Sequence, residues 1–307
     1  MLGVSVSRRI EVKNVLYLTD FSAQSDEALS FAKAFGRTYG SQIYAVHVLM
    51  PDLLTYMSLD SIAAAIELQK EFALGQMQRL EPQLRGLPHK VIVEQGREIW
   101  ATLEPMLKER AIDLIVLGTH GRTGLQKLLL GSTAEKVFRR SQVPVMTIGP
   151  LADIGGHNDA RFDGVVFATD FSAESLAAAP FAVSIAQEND AQLILLHVME
   201  EPEQRKGSKR QTLSVAEAMH QLYELVPPEA ELWCRPETAV HFGEPAERIL
   251  DVAEQKGADL IVLGIRGTDQ LVAATHLGTS TAHKVTAHAP CPVLTVRQNR
   301  NQGAQAN

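Results

Sequence analysis

Short, nearly unbroken apolar runs alternate along this chain with longer segments whose apolar residues recur at helical spacing. In the first half the runs are Val15-Leu16-Tyr17-Leu18, Ile43 to Val48, Val91-Ile92-Val93, Leu114 to Leu117 and Val143 to Ile148. Strands that read as continuous rather than alternating are buried on both faces. Between them Ser25 to Tyr39 and Ile99 to Arg110 carry apolar positions spaced for amphipathic helices. The alternation predicts an α/β fold, a parallel sheet with helices on both faces and right-handed crossovers. Ligands of such sheets sit at the carboxyl ends of the strands, where Asp20, Val48 and Gly118 fall.

The pattern then repeats. Thr19-Asp20-Phe21-Ser22-Ala23 returns as Thr169-Asp170-Phe171-Ser172-Ala173, and His47-Val48 returns as His197-Val198 at the same shift of 150. Gly96 matches Gly243, and Asp113 to Gly118 matches Asp259 to Gly264. Val143-Pro144-Val145-Met146-Thr147-Ile148 returns as Cys291-Pro292-Val293-Leu294-Thr295-Val296. Each half of the 307 residues therefore reads as a complete domain of ordinary size, 1–150 and 151–307, joined through the polar stretch Gly149 to Asp163.

Candidate chemistry gathers behind the fourth run of the first half. Gly118-Thr119-His120-Gly121 is followed after nine residues by Gly131-Ser132-Thr133, a strand, a loop and a helix start. Gly118 and Gly121 are able to take positive φ and bring the backbone close to a ligand, and the first N–H groups of a helix are unpaired donors at a positive dipole end. Ser132 and Thr133 are read either as caps of the following helix or as partners of a phosphate oxygen. A lone Gly-x-x-Gly recurs by accident; its place behind a buried strand is what points to nucleotide.

Taken in order, Thr-Asp-Phe-Ser after the first strand, His-Val at the end of the second, Gly-x2-Gly-x9-Gly-Ser and Pro-Val in the last strand resemble the universal stress protein family, over nearly all of both halves. The chain resembles a tandem member. The resemblance implies two Rossmann-like domains, each a five-stranded parallel sheet with helices on both faces, and ATP, with or without Mg2+, at the crevice. Carried onto this chain, it puts Asp20 and Val48 near the adenosine, and Gly118, His120, Gly121, Gly131, Ser132 and Thr133 around ribose and phosphates. Thr19, Leu117 and Arg122 complete the candidate set. It further implies pairing of domains through the last strand, hence an internal pseudo-dimer and a homo-oligomer.

The second half departs from this pattern. Its counterpart set is Thr169, Asp170, Val198, Gly264, Gly267, Gly278 and Ser280, but ten residues rather than nine separate Gly267 from Gly278. Ile265-Arg266 replaces Thr119-His120, and the acidic Asp269 enters the loop. The expectation is a competent first site and a weakened second one.

Composition narrows the remaining classes. A formal charge of −7 argues against nucleic acid as the main partner, and the basic run Arg205 to Arg210 follows acidic residues and reads as a mixed-charge loop. No run approaches the length needed to cross a bilayer, Met1 to Arg9 has no secretory apolar core, and the two cysteines suit a reducing compartment, so a cytoplasmic protein without a membrane partner is expected. Asp20 and Asp170 have no visible acid–base partner, and the histidines, including His276, His283 and His288, lack the spacing of a metal site and read as surface residues, with the exception of His120, which sits inside the loop and is read either as a donor to phosphate or ribose or as facing solvent. With neither an SGGxDS nor a GxxxxGK[ST] loop, the reading is a nucleotide-sensing regulatory protein with at most weak ATPase activity. A slow nucleotide hydrolase and a nucleotide-independent interaction scaffold are the alternatives.

Overall fold

The computed structural model describes residues 9–50, 59–119, 130–152, 160–201, 213–228, 234–266 and 280–298. They divide into two compact units, an N-terminal one from Glu11 to Pro150 and a C-terminal one from Arg161 onward. Arg9 and Ile10 belong to the latter. The Arg9 guanidinium reaches Glu188 at 2.5 Å, and the Ile10 N–H donates to Ser184 Oγ at 3.2 Å.

In the N-terminal unit the order is β1 (Asn14–Leu18), α1 (Ala23–Tyr39), β2 (Gln42–Leu49), α2 (Leu59–Leu80), a 3-10 turn (Glu81–Leu84), β3 (His89–Gln95), α3 (Ile99–Glu109), β4 (Leu114–Gly118), α4 (Ser132–Arg140) and β5 (Val145–Ile148). The strands lie side by side as β3-β2-β1-β4-β5, all parallel. Val15 aligns with both Ile43 and Leu114, so the first strand lies at the centre. Its burial on both faces is why it reads as an unbroken apolar run. Leu16, Leu18, Val46, Val48, Ile115 and Leu117 meet Trp100, Leu103, Leu107 and Val137 of α3 and α4 in one core, and α1 covers the opposite face with Ala28, Leu29, Ala32 and Phe35 buried.

The C-terminal unit repeats this with β6 (Gly164–Ala168), α5 (Ala173–Leu176), α6 (Ala179–Asn189), β7 (Gln192–Met199), α7 (Val215–Glu224), β8 (Arg235–Phe242), α8 (Pro245–Lys256), β9 (Leu260–Ile265), α9 (Thr281–His288) and β10 (Val293–Arg297). Its parallel order is β8-β7-β6-β9-β10. The helix that corresponds to α1 is broken into α5 and α6 just ahead of Pro180, which cannot donate to the preceding turn. Each unit is thus a five-stranded parallel sheet with helices on both faces.

Two details refine the sequence reading. The last strand of the N-terminal unit starts at Val145, after Pro144, rather than at Val143. Asp113 and its repeat Asp259 have a shared role: each carboxylate accepts two backbone N–H groups at the start of the unit's central strand, from Lys13 and Asn14 (2.8 and 2.9 Å) and from Asp163 and Gly164 (both 2.9 Å). Burial is the largest influence on Asp259 and raises its pKa in spite of those bonds.

Candidate functional site

Three segments meet at the carboxyl ends of the strands in the N-terminal unit. After β1 the chain turns sharply. The Thr19 N–H donates to the Val46 carbonyl (2.9 Å), Phe21 N–H to Thr19 Oγ1 (3.0 Å) and Ser22 N–H to Asp20 Oδ1 (3.0 Å). Phe21 takes φ 62°, unusual for a bulky residue. Ser22 is the N-cap of α1, accepting from Ser25 N–H at 3.3 Å, so capping falls to Ser22 while Asp20 organises the turn before it. His47 Nδ1 lies 2.8 Å from the Thr19 carbonyl; a carbonyl only accepts, so Nδ1 carries the proton. The Phe21 ring stacks on His47 at 4.3 Å, with Phe72 edge-on to it at 6.4 Å.

The second segment is the end of β2, with Val48 in the core beside Leu18. The third is the end of β4. Thr119 N–H donates to the Ile148 carbonyl (2.9 Å) and the Gly131 N–H to the Thr119 carbonyl (2.7 Å), which ties the residue ahead of α4 to the end of β4. Helix α4 then begins at Ser132, with Gly131 as N-cap at φ −59°, ψ 152° and no side-chain hydrogen bond to the cap. Ser132 and Thr133 are therefore first-turn residues rather than caps.

Gly118 has no positive φ. Its small size matters in another direction: a Cβ there would lie 2.9 Å from the Gln24 carbonyl carbon. The close approach that demands glycine is that of the start of α1, and the same holds for Gly264, where a Cβ would overlap Glu174 O and Ser175 Cα. His120, Gly121 and Arg122 lie outside the described residues, as do Gly267, Gly278, His276 and the run Arg205 to Arg210.

The C-terminal unit rebuilds the first turn almost bond for bond. Thr169 N–H donates to Leu196 O (2.9 Å), Phe171 N–H to Thr169 Oγ1 (2.9 Å) and Ser172 N–H to Asp170 Oδ1 (3.0 Å), and His197 Nδ1 donates to the Thr169 carbonyl at 2.8 Å. Phe171, at φ 60°, lies against His197 at 4.6 Å. Burial pulls the Asp170 pKa up, but hydrogen bonds from Ser172 and Ser175 outweigh it and hold the carboxyl below its ordinary value. The loop's far end differs. Helix α9 is capped by Ser280, whose Oγ accepts from the His283 N–H at 3.2 Å. Val198, like Val48, ends its strand beside that unit's core.

A family model described as the universal stress protein family matches residues 11–149 and again 161–297. The chain belongs to the universal stress protein family. A universal stress protein of Mycolicibacterium smegmatis is 25% identical over 92% of this chain and 96% of its own length. Against one half of the chain, a universal stress protein of Bacillus subtilis is 35% identical, covering 44% of this chain and 99% of the relative. Among solved structures, a universal stress protein from Archaeoglobus fulgidus superimposes with a TM-score of 0.69 at 22% identity, over 94% of this chain and all of that one, a likeness of fold. Tandem universal stress domains thus account for the repeat.

Of the sequence candidates in the first universal stress domain, Thr19, Asp20, Val48, Leu117, Gly118, Gly131, Ser132 and Thr133 are described and lie at the carboxyl edge of one sheet. In the second, Thr169, Asp170, Val198, Gly264 and Ser280 hold the matching places. Asp26, in the first turn of α1, has its pKa raised, first by burial and then by the charge of Asp20. Sequence reasoning missed the Phe21–His47 and Phe171–His197 pairs as parts of the site; their repetition at one shift was the signal available. It also placed His283 on the surface, whereas α9 buries it. Among the described residues no group of three His, Cys, Asp or Glu is arranged to hold a metal ion, and no described helix is long and apolar enough to cross a membrane. Both cysteines are buried and unbridged; burial raises Cys234 to about 11, and chiefly burial raises Cys291 to about 12, against a thiolate role for either.

Proposed function

We propose that the first universal stress domain binds ATP, with adenosine beside Asp20 and Val48 and the phosphates at the start of α4, and that the chain acts as a nucleotide-responsive regulator in the stress response. The second domain supplies structure and an interface. In this reading the protein works in the cytoplasm and self-associates, and Mg2+, if used, arrives with the phosphates.

One contrast carries the reading. Helix α4 starts from a glycine that offers no side-chain acceptor to its first N–H groups, whereas α9 is already capped by Ser280. Free N–H donors at the positive end of a helix dipole are what a phosphate chain needs, and a side-chain cap competes for them. Gly131 has a negative φ of −59°, so a side chain there brings no left-handed backbone strain.

The test is the nucleotide content of protein purified without added ligand, released by heat and identified by mass spectrometry, followed by ATP titration against melting temperature. About one ATP per chain, and stabilisation of roughly 2 to 3 kcal/mol at a hundredfold excess over Kd, are expected. Gly131→Asp should place a carboxylate cap on α4, raise the melting temperature without ligand by the equivalent of about 0.5 to 1 kcal/mol, and remove the response to ATP. Wild-type ATP affinity in Gly131→Asp, or no thermal response in the native protein, would overturn the assignment. Steady formation of ADP would replace sensing with hydrolysis as the function.

A further inference from the structure

The amino-terminal edge of the N-terminal unit's sheet, opposite the nucleotide site, carries two cations on one aromatic ring. Lys90 Nζ lies 5.9 Å and Arg110 Cζ 5.2 Å from the centroid of Tyr44. Tyr44 is the third residue of β2, Lys90 its register partner in β3, and Arg110 follows α3, whose carboxyl end faces this edge. Among the described residues neither cation has a carboxylate oxygen within the 4.0 Å of an ion pair.

The repeat shows what the matching place in the C-terminal unit holds. In the C-terminal unit Ile194 stands for Tyr44, its register partner Glu237 for Lys90, and Lys256, at the end of α8, for Arg110. Lys256 Nζ contacts both Glu237 oxygens at 2.6 and 2.9 Å, and Gln192 Nε2 donates to the same carboxylate at 3.0 Å. Those contacts show the two positions meeting in the C-terminal unit, and in the N-terminal unit the matching Lys90 and Arg110 converge on the Tyr44 ring. In the N-terminal unit the carboxylate is replaced by a second cation. The amide of Gln42, which matches Gln192, turns to the Ile43 carbonyl at 3.4 Å. An acceptor at the centre of a three-donor cluster has been exchanged for positive charge, and the aromatic ring holds both cations in place.

We propose that Lys90 and Arg110, set on Tyr44 at the amino-terminal edge of this sheet, bind a dianionic phosphate group. Two cations match a dianion, whereas one carboxylate would leave a positive charge uncompensated. The planar fork of arginine suits phosphate oxygens, and lysine adds a point charge. The group reaches the site either as inorganic phosphate or as a phosphomonoester.

The test is NMR of the Lys90 Nζ and Arg110 Nε signals in the full chain during titration with inorganic phosphate or glycerol phosphate, against acetate and chloride at matched ionic strength. A saturating shift with either phosphate, at roughly tenfold lower concentration than acetate, is expected; the tighter of the two arms names the source. Lys90→Glu recreates the pair seen at Glu237 and Lys256, so that variant should fold, lose the shift at Arg110 and keep its response to ATP. A shift that never saturates and follows ionic strength alike for all four salts would overturn the site, as would a phosphate response that survives Lys90→Glu.

Discussion

Phe21 and Phe171 adopt left-handed backbone at equivalent places, and each lays its ring on the histidine that ends the neighbouring strand. Such a conformation costs on the order of 1 kcal/mol and persists only where its surroundings hold it. Here the Thr hydroxyl, the Asp carboxylate and the His Nδ1–H all bond within one turn, which brings Asp20 to the strand end in a defined orientation. Asp26 stands one helical turn further on. Its pKa is raised by burial and by Asp20, so the folded chain holds that proton more tightly than the unfolded one. A carboxyl raised in this way costs stability above its folded pKa, and the cost fades as pH falls from there to the ordinary value of 3.8 and vanishes below it. Asp26→Asn should therefore raise the melting temperature at pH 7, with the gain shrinking to nothing as the pH falls toward 3. A gain that persists unchanged in acid would refute the ionic origin.

The elements are tied together by a second repeated device. Glu98 caps α3 by accepting from the Ala101 N–H at 2.8 Å, and its carboxylate also faces Lys136 of α4 at 3.6 Å. Glu244 caps α8 by accepting from the Glu247 N–H at 2.9 Å and meets Lys284 of α9 at 2.9 Å. The backbone hydrogen bond from Ala101 is the largest cause that lowers the Glu98 pKa. One carboxylate therefore both begins a helix and reaches the helix that precedes the last strand of its unit. The connector is one residue shorter in the C-terminal unit, where Gly243 takes φ 128°, a conformation that glycine alone adopts readily. The ion pair is partly solvated and worth up to about 1 kcal/mol, while loss of a cap costs about 0.5 to 2 kcal/mol. Urea unfolding should thus show Glu244→Ala more destabilising than Lys284→Met, with only the pair's share reduced by added salt. Equal losses would mean that the cap contributes nothing.

Across the whole molecule, each unit has its own core between sheet and helices, and the differences that bear on binding are the caps of α4 and α9 and the charges at the amino-terminal sheet edge. ATP should therefore act locally. Hydrogen exchange under saturating ATP should slow at Thr19 to Ser22, Leu117 to Thr119 and Ser132 to Glu135, and stay unchanged at Ser280 to His283. Equal protection at both places would mean that the Ser280 cap does not disable the second site. The sequence by itself determined the α/β class, the repeat and the family, because a strand buried on both faces and a fixed order of turn residues leave a pattern that needs no partner to be read. It also placed Asp20, Val48 and Gly118 at strand ends, since parallel topology puts every such end on one edge. Tertiary structure alone decided that Gly118 is small for the sake of α1, that His283 is buried, and that Lys90 and Arg110 share one ring. Those facts depend on which distant segments come within a few ångström of each other, and hydrophobic periodicity records which face of an element is buried, not which atoms meet it.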